Sequence, residues 1–384
     1  MRHIEVKCPS GTHEFCYSIS TPTCTSATSV DPERPTVLFI HAGYIPQEVF
    51  QTQYEDPELR QFNLVAVDNL GHGSTRGLIG DQRYTPTETA QDLKCVMDAL
   101  GLPPCHVFGL SLGATIGLEL ASQYPSSVLS LTLCSPVTPE ELEDVIAGRI
   151  QVFNYWSEVF HDFDHGEEQR QQQEELVSET LYGAMQLLFN NRETRLTKPM
   201  ATSAMVRSID IWSGNAERIK KSYDACVRWF TERKPIPSSQ LAQIRCPVNV
   251  IYASEDVGYP LENAQALVEE LKGVGVQPVT FHTLHGPHYV GVIDPEGVNA
   301  ILKDTVLSVS QFDPDSLPKP VPEFPGRMRT PWTDNLKRFG YDPSAEDVDA
   351  DDSDEHEVDE RFNIKSSPLP WFSYEPVVPE QRIF

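Results

Sequence analysis

The pentapeptide Gly109-Leu110-Ser111-Leu112-Gly113 constrains this chain more than any other stretch, because of what flanks it. Cys105-His106-Val107-Phe108 ahead of it reads as a short buried strand. Behind it, Ala114 to Tyr124 carries Ile116, Leu120 and Ala121 at helical spacing. A strand, a Gly-x-Ser-x-Gly turn and a helix together describe a nucleophile elbow. So sharp a turn scarcely tolerates a Cβ at two positions beside the serine, hence the glycines. The serine oxygen is left exposed at a helix N-terminus, where backbone N–H groups favour a developing negative charge.

A nucleophilic serine needs a base, and the base needs an orienting acid. On this architecture they come in the chain order serine, acid, histidine. Downstream of Ser111, Val248 to Ala253 reads as a core strand and runs into Ser254-Glu255-Asp256-Val257-Gly258-Tyr259-Pro260. Two carboxylates stand in that loop. Asp256, four residues before Pro260, is the expected acid; Glu255 is the alternative, otherwise a solvated loop residue. The next strand, Val279 to Leu284, runs into His285-Gly286-Pro287-His288-Tyr289 and then a helix. His288, in a Gly-x-His loop, is the expected base, and its rival His285 is assigned a structural role. His282 and His285 point to opposite faces of a strand, and no Cys or carboxylate completes a ligand set with His288, so no metal and no cofactor is expected.

Upstream, Thr36 to Ile40 is an apolar strand ending in His41-Ala42-Gly43-Tyr44. The loop after such a strand supplies one N–H of an oxyanion hole and the residue after the nucleophile, Leu112, supplies the other. Gly43 is the candidate, with Ala42 or Tyr44 possible by a shift of one residue. Phe62 to Val67 ends in Asp68-Asn69-Leu70-Gly71-His72-Gly73-Ser74. Asp68 and His72 look catalytic in isolation, but Gly71 and Gly73 point to a tight turn that these side chains brace.

Residues 36 to 311 resemble the α/β-hydrolase fold superfamily, which includes esterases, lactonases and carbon–carbon bond hydrolases. The resemblance rests on His41-Ala42-Gly43, Asp68-x-x-Gly71-His72-Gly73-x-Thr75, Gly109-x-Ser111-x-Gly113, Asp256 with Pro260, and Gly286-x-His288. Close relatives mostly carry His-Gly where this chain has His41-Ala42. A serine at the elbow argues against the dehalogenase and epoxide-hydrolase branches, whose elbow carries Asp. The resemblance implies hydrolysis of a carboxylic ester or lactone through Ser111, His288 and Asp256, with an acyl-enzyme intermediate. A carbon–carbon hydrolase or an acyltransferase on the same triad, and a non-catalytic ligand-binding protein of the same fold, are the alternatives.

Strands expected at 36–41, 62–68, 104–110, 128–134, 248–254 and 279–284 alternate with helices near 86–100, 112–124, 261–272 and 296–310. This is the pattern of a doubly wound, mainly parallel α/β sheet. An opening hairpin over 3–20 turns at Pro9-Ser10-Gly11-Thr12. The core comprises 1–136 and 247–311. Between them, 137–246 reads as a helical cap, with helices at 150–160, 173–189, 204–212 and 216–230. Its aromatics (Phe153, Tyr155, Trp156, Phe160, Phe163, Trp212, Trp229, Phe230) mostly pack the cap, and a few line a pocket for a small to medium apolar substrate.

The tail, 312–384, is Pro-rich from 314 to 331 and then holds ten carboxylates between Glu346 and Glu360. Low hydrophobicity and like charge predict disorder over at least 340–366. Trp332 and the Trp371-Phe372 pair either pin the tail to the core or form a short protein-binding motif. With 30 basic and 56 acidic residues the net charge is −26, so neither nucleic acid nor an anionic membrane is an expected partner. Met1 to Ser20 has no apolar signal segment, no run of about 18 apolar residues occurs, and the eight cysteines read as reduced thiols. A soluble cytoplasmic protein is the expectation.

Overall fold

Uninterrupted burial of Thr36-Val37-Leu38-Phe39-Ile40 sets the plan of the molecule, since a strand with no exposed position must be covered on both faces. The computed structural model describes residues 1–77, 79–80, 84–160 and 167–345, and places this strand inside an eight-stranded sheet. In chain order the strands are β1 (Arg2–Cys8), β2 (Gly11–Ser20), β3 (Thr36–Ile40), β4 (Asn63–Val67), β5 (Cys105–Leu110), β6 (Val128–Cys134), β7 (Val248–Ala253) and β8 (Val279–Leu284). Their spatial order is β1-β2-β4-β3-β5-β6-β7-β8. β1 and β2 form the opening hairpin and β2 runs antiparallel to β4. All five remaining pairings are parallel. The chain reverses its direction of winding at β3, between β4 and β5, and a crevice forms there at the strand ends.

Alternation along β3 divides the core. Val37 and Phe39 pack with Phe108, Ile251 and Ala253 on one face, while Leu38 and Ile40 pack with Val65, Val107 and Val250 on the other. Helices Pro86–Ala99, Leu112–Gln123 and Leu261–Gly273 cover the second face, and Pro295–Ser310 covers the first. The first of these starts where the sequence says it should. Thr85 and Glu88 form a capping box and Pro86 takes the first helical position, where its missing N–H has no consequence.

Between β6 and β7 the chain forms helices Glu143–Phe160, Glu167–Phe189, Thr197–Trp212 and Ala216–Tyr223. The last continues through a π-turn, Asp224–Arg228, into Trp229–Thr231. Three of the four start earlier than apolar spacing suggests. Glu143 and Asp144 fill one first turn, where acidic side chains favour the helix dipole. Pro199 sits in another first turn, a position helices accept. Phe153, Trp156, Phe160 and Trp212 build a separate apolar cluster, whereas Trp229 and Phe230 join the core of the sheet. Phe163 lies outside the described residues.

The tail requires a correction. Trp332 is buried against Tyr54, ring centroids 4.6 Å apart, and Tyr341 is 2% exposed with its hydroxyl on Glu55. Met328 N–H donates to Glu55 O at 2.7 Å, and Thr330 Oγ1 to Gln51 Oε1 at 2.6 Å. Trp332 thus pins the segment to the core, and the disorder expected from 340 onward fails over 340–345, where one aromatic anchor outweighs a polar average. Residues 346–366 and the Trp371-Phe372 pair lie outside the described residues. No helix among the described residues is long and apolar enough to cross a membrane.

Candidate active site

β5 delivers the chain to Ser111, whose φ of 56° and ψ of −121° strain a residue with a Cβ by about 1–3 kcal/mol. Two glycines make the conformation attainable. A Cβ on Gly109 would stand 2.3 Å from Gly113 O, and one on Gly113 would stand 2.1 Å from Ile40 O of β3. Ser111 N–H donates to Cys134 O at 2.9 Å, fixing the elbow to the end of β6. The serine is 2% exposed at the head of helix Leu112–Gln123.

The loops after β7 and β8 bring two further side chains to it. His288 Nε2 lies 2.8 Å from Ser111 Oγ, and Nδ1 lies 2.6 Å from Asp256 Oδ2. Asp256 Oδ1 accepts the N–H groups of Gly258 and Tyr259, both at 3.0 Å. An acid held this way directs one oxygen at Nδ1, which assigns the ring proton there and leaves the Nε2 lone pair facing the serine hydroxyl. The loops are stitched together: Glu255 N–H donates to Gly286 O, and Tyr289 N–H to Leu188 O of the inserted helices, both at 2.9 Å. Tyr259 and Tyr289 flank the imidazole, ring centroids 5.1 and 5.6 Å away.

The rivals sit elsewhere. Glu255 is not simply solvated: its carboxylate pairs with Arg192 at 2.6 Å, and its carbonyl accepts from Asn190. The His285 side chain is 78% exposed and 3.4 Å from Glu255. His282 Nε2 pairs with Asn249 Oδ1 at 3.1 Å, so the three imidazoles of this stretch face separate partners. Asp68 accepts Ser74 N–H at 2.8 Å and Gln47 N–H at 3.2 Å, inside a turn where Gly73 has a φ of 57° and no room for a Cβ beside the carboxylate. Burial lowers His72 to about 4, and burial together with His72 lowers His41 to about 3, so both stay neutral. They brace the turn and the neighbouring loop, His41 Nε2 accepting Asn69 N–H at 2.8 Å.

Across from Ser111, Tyr289 hydroxyl donates to Gly43 O at 2.9 Å and orients the loop after β3. Among the described residues no backbone acceptor takes the N–H of Leu112, Gly43 or Tyr44. Tyr44 itself has a φ of 67°.

Sequence reasoning missed a charged cluster above this point. Glu141 accepts the Tyr259 hydroxyl at 3.0 Å and both Arg233 Nη groups at 3.2 Å. Arg149 Nε stands 3.3 Å from the same carboxylate, with Cζ 3.4 Å from the Phe230 ring centroid. A signal existed. Val145, Arg149, Val152 and Trp156 recur at spacings of three and four, so Arg149 lies within the apolar stripe of its helix. Close to it opens a cavity walled by Tyr44, Phe153, Trp156, Leu181, Met205 and Trp212 among others. Ser111 is not in that wall, whereas Tyr44 and Ile45, which follow Gly43 in the loop after β3, are.

Comparison with known proteins agrees with this layout. The family described as alpha/beta hydrolase fold matches residues 35–276. A probable lysophospholipase, BODYGUARD 2 of Arabidopsis thaliana, is 30% identical over 136 residues, which is 32% of this chain and 28% of that protein. The acetyltransferase component of the acetoin-cleaving system of Cupriavidus necator is 36% identical over 107 residues, 27% of this chain and 26% of that protein. The matches thus span between a quarter and a third of these relatives' length. Among solved structures, a thermophilic esterase of Thermogutta terrifontis has a TM-score of 0.59 at 16% identity, covering 80% of this chain and 99% of its own. A putative aryl esterase of Burkholderia cenocepacia has a TM-score of 0.60 at 16% identity, covering 81% and 100%. With a family match over well more than half its length, on a sheet and elbow of the matching design, this chain belongs to the α/β-hydrolase fold family.

Proposed function

We propose that the protein is a serine hydrolase that cleaves a carboxylic ester or lactone of a small to medium apolar substrate. The observation that carries this reading is the pair of contacts at His288, 2.8 Å to Ser111 Oγ and 2.6 Å to Asp256 Oδ2. Ser111 Oγ attacks the carbonyl carbon while His288 Nε2 takes its proton, and Asp256 holds the imidazolium. The N–H groups of Leu112 and Gly43 receive the oxyanion, each donor contributing about 3 kcal/mol in the transition state. Collapse expels the alcohol, protonated by His288. A water deprotonated by the same nitrogen then splits the acyl-enzyme and releases the acid. The largely apolar cavity beside Tyr44 supports an apolar acyl or alcohol portion. Eight free thiols support a reducing, cytoplasmic setting.

A fluorophosphonate probe tests the reading directly. It should label the protein at Ser111, and Ser111→Ala should lose both labelling and hydrolysis of 4-nitrophenyl butyrate while melting as the parent does. Labelling that persists in the variant removes the nucleophile. Product analysis on an ester and a β-diketone separates ester hydrolysis from carbon–carbon cleavage on the same triad.

A further inference from the structure

Arg149 is 4% exposed, yet no acceptor meets its Nε and Nη1 groups in hydrogen-bonding geometry, although the Tyr44 and Tyr259 hydroxyls stand close to the guanidinium. A guanidinium is always charged, and burying one with unused donors is costly unless something arrives to use them. Its neighbour Glu141 does not satisfy them. That carboxylate is engaged by both Nη groups of Arg233 and by the Tyr259 hydroxyl, and Arg149 Nε reaches it only at 3.3 Å and outside hydrogen-bonding geometry. Two guanidinium groups therefore share one carboxylate, leaving one positive charge in excess.

The position of this head matters as much as its charge. It stacks on Phe230 at 3.4 Å and lies 5.7 Å from the Tyr44 ring centroid. Phe230 in turn presses on the loop after β3, where a Cβ on Gly43 would come within 2.9 Å of its Cζ. Tyr259, the next neighbour through Glu141, faces the His288 ring at 5.1 Å. The unused donors thus lie near Tyr44 of the loop after β3 and reach the imidazole side of the site through Glu141 and Tyr259. Tyr44 and Val152, not Arg149 itself, stand in the wall of the apolar cavity.

Resting on the serine-hydrolase reading above, we propose that Arg149 receives a carboxylate carried by the substrate, so that the protein selects esters or lactones bearing a second, free acid group. A carboxylate matches the planar fork of donors and supplies the single negative charge the cluster lacks. A phosphate dianion would bring one negative charge more than the two guanidinium groups and Glu141 leave unmatched. The net charge of −26 slows the approach of any anion at long range but does not decide binding once the pair is desolvated.

The test compares mono-4-nitrophenyl adipate with its neutral methyl ester. The parent protein should favour the acid by at least ~10-fold in kcat/KM, and Arg149→Met should cost the acid ~30-fold or more, mainly through KM, while the neutral ester changes less than ~3-fold. Equal turnover of the two esters by the parent overturns the proposal, and so does an equal loss of both in the variant, which would make Arg149 a pillar of the cap. Should Arg149→Met fail to fold, the parent's preference and Arg149→Lys decide. Binding of hexanoate against hexanamide, read by calorimetry on the Ser111→Ala protein, needs no turnover. Hexanoate bound ~10-fold more tightly, with the difference lost in Arg149→Met, upholds the site even if hydrolysis fails. No difference between the two ligands refutes it while leaving the hydrolase reading intact.

Discussion

Replacing Asp256 by Asn changes one atom and should reverse the proton layout of the whole site. In the native loop Oδ1 accepts Gly258 and Tyr259 N–H groups, and Oδ2 faces His288 Nδ1 at 2.6 Å. The Asn oxygen must keep the two backbone donors, because turning the amide over would set its NH2 against them and forfeit both bonds, at about 1–3 kcal/mol. Its NH2 therefore confronts Nδ1 and makes that nitrogen an acceptor. The ring proton moves to Nε2, which then points a hydrogen at Ser111 Oγ and offers no lone pair. A base in the wrong tautomer costs ~10⁴-fold in kcat, about 5.5 kcal/mol. Burst kinetics with 4-nitrophenyl butyrate and the rate of fluorophosphonate labelling both read this loss. The melting temperature should move little, because the replacement is isosteric and keeps both backbone bonds. Glu255→Gln is the control: it removes an ion pair to Arg192, itself 40% exposed, worth at most about 1 kcal/mol in stability, with turnover within ~3-fold. A near-native rate for Asp256→Asn, or a crippled Glu255→Gln, would refute the assignment of the acid.

Other substitutions probe what surrounds Ser111, Asp256 and His288. Tyr44→Ala enlarges the apolar cavity on the side of the loop after β3, so the preferred 4-nitrophenyl ester should lengthen by several carbons; an unchanged chain-length profile would detach the cavity from the site. Trp332→Ala should cost about 3 kcal/mol in urea unfolding, at the low end for a buried Trp because its Nε1 has no partner to lose, and a change below ~1 kcal/mol would contradict the docking of the tail. Glu48 is pushed up to about 7 by burial and then by the negative charge of Asp68, so the folded protein holds a proton that the unfolded chain releases near 4.5. Its contribution is intact below pH 4.5 and is lost as pH rises through 7, up to about 3 kcal/mol. Glu48→Gln should therefore flatten the fall in stability between pH 5 and 8, and matching slopes for parent and variant would show that Glu48 ionises freely.

Readings tied to a local constraint translated well from sequence to structure. Gly109 and Gly113 are dictated by backbone contacts less than 3 Å from where a Cβ would stand, and such a requirement leaves letters at fixed positions. β3, β5 and β7 are short runs buried on both faces, so they read as continuous apolar stretches, and the candidate side chains stand just beyond their C-terminal ends. His288, preferred over His285 on the Gly-x-His spacing, has its ring against Ser111, while the His285 side chain is largely exposed beside Glu255. Disorder from 340 onward was a statement about averages. A polar, Asp- and Pro-rich window says nothing about Tyr341, whose single ring finds Glu55 nearly three hundred residues earlier in the chain.

What stayed hidden lies where distant segments meet, and the reason is physical. Arg149 reads as a blemish in an apolar stripe until Glu141, Arg233 and Phe230 close around it, and no spacing rule connects those positions. The same holds for Ser203 of the inserted helices: its hydroxyl receives Asn335 of the tail at 2.7 Å and faces Glu48 of the core at 3.4 Å. Three stretches of chain converge there on one buried carboxylate, and burial, then the charge of Asp68, raises its pKa against the pull of the Ser203 hydroxyl, which lowers it. A motif records geometry that a few neighbouring residues impose on each other. Charge complementarity assembled from remote elements leaves only a misplaced polar residue on an apolar face, and that misplacement is the mark to look for in chains of this kind.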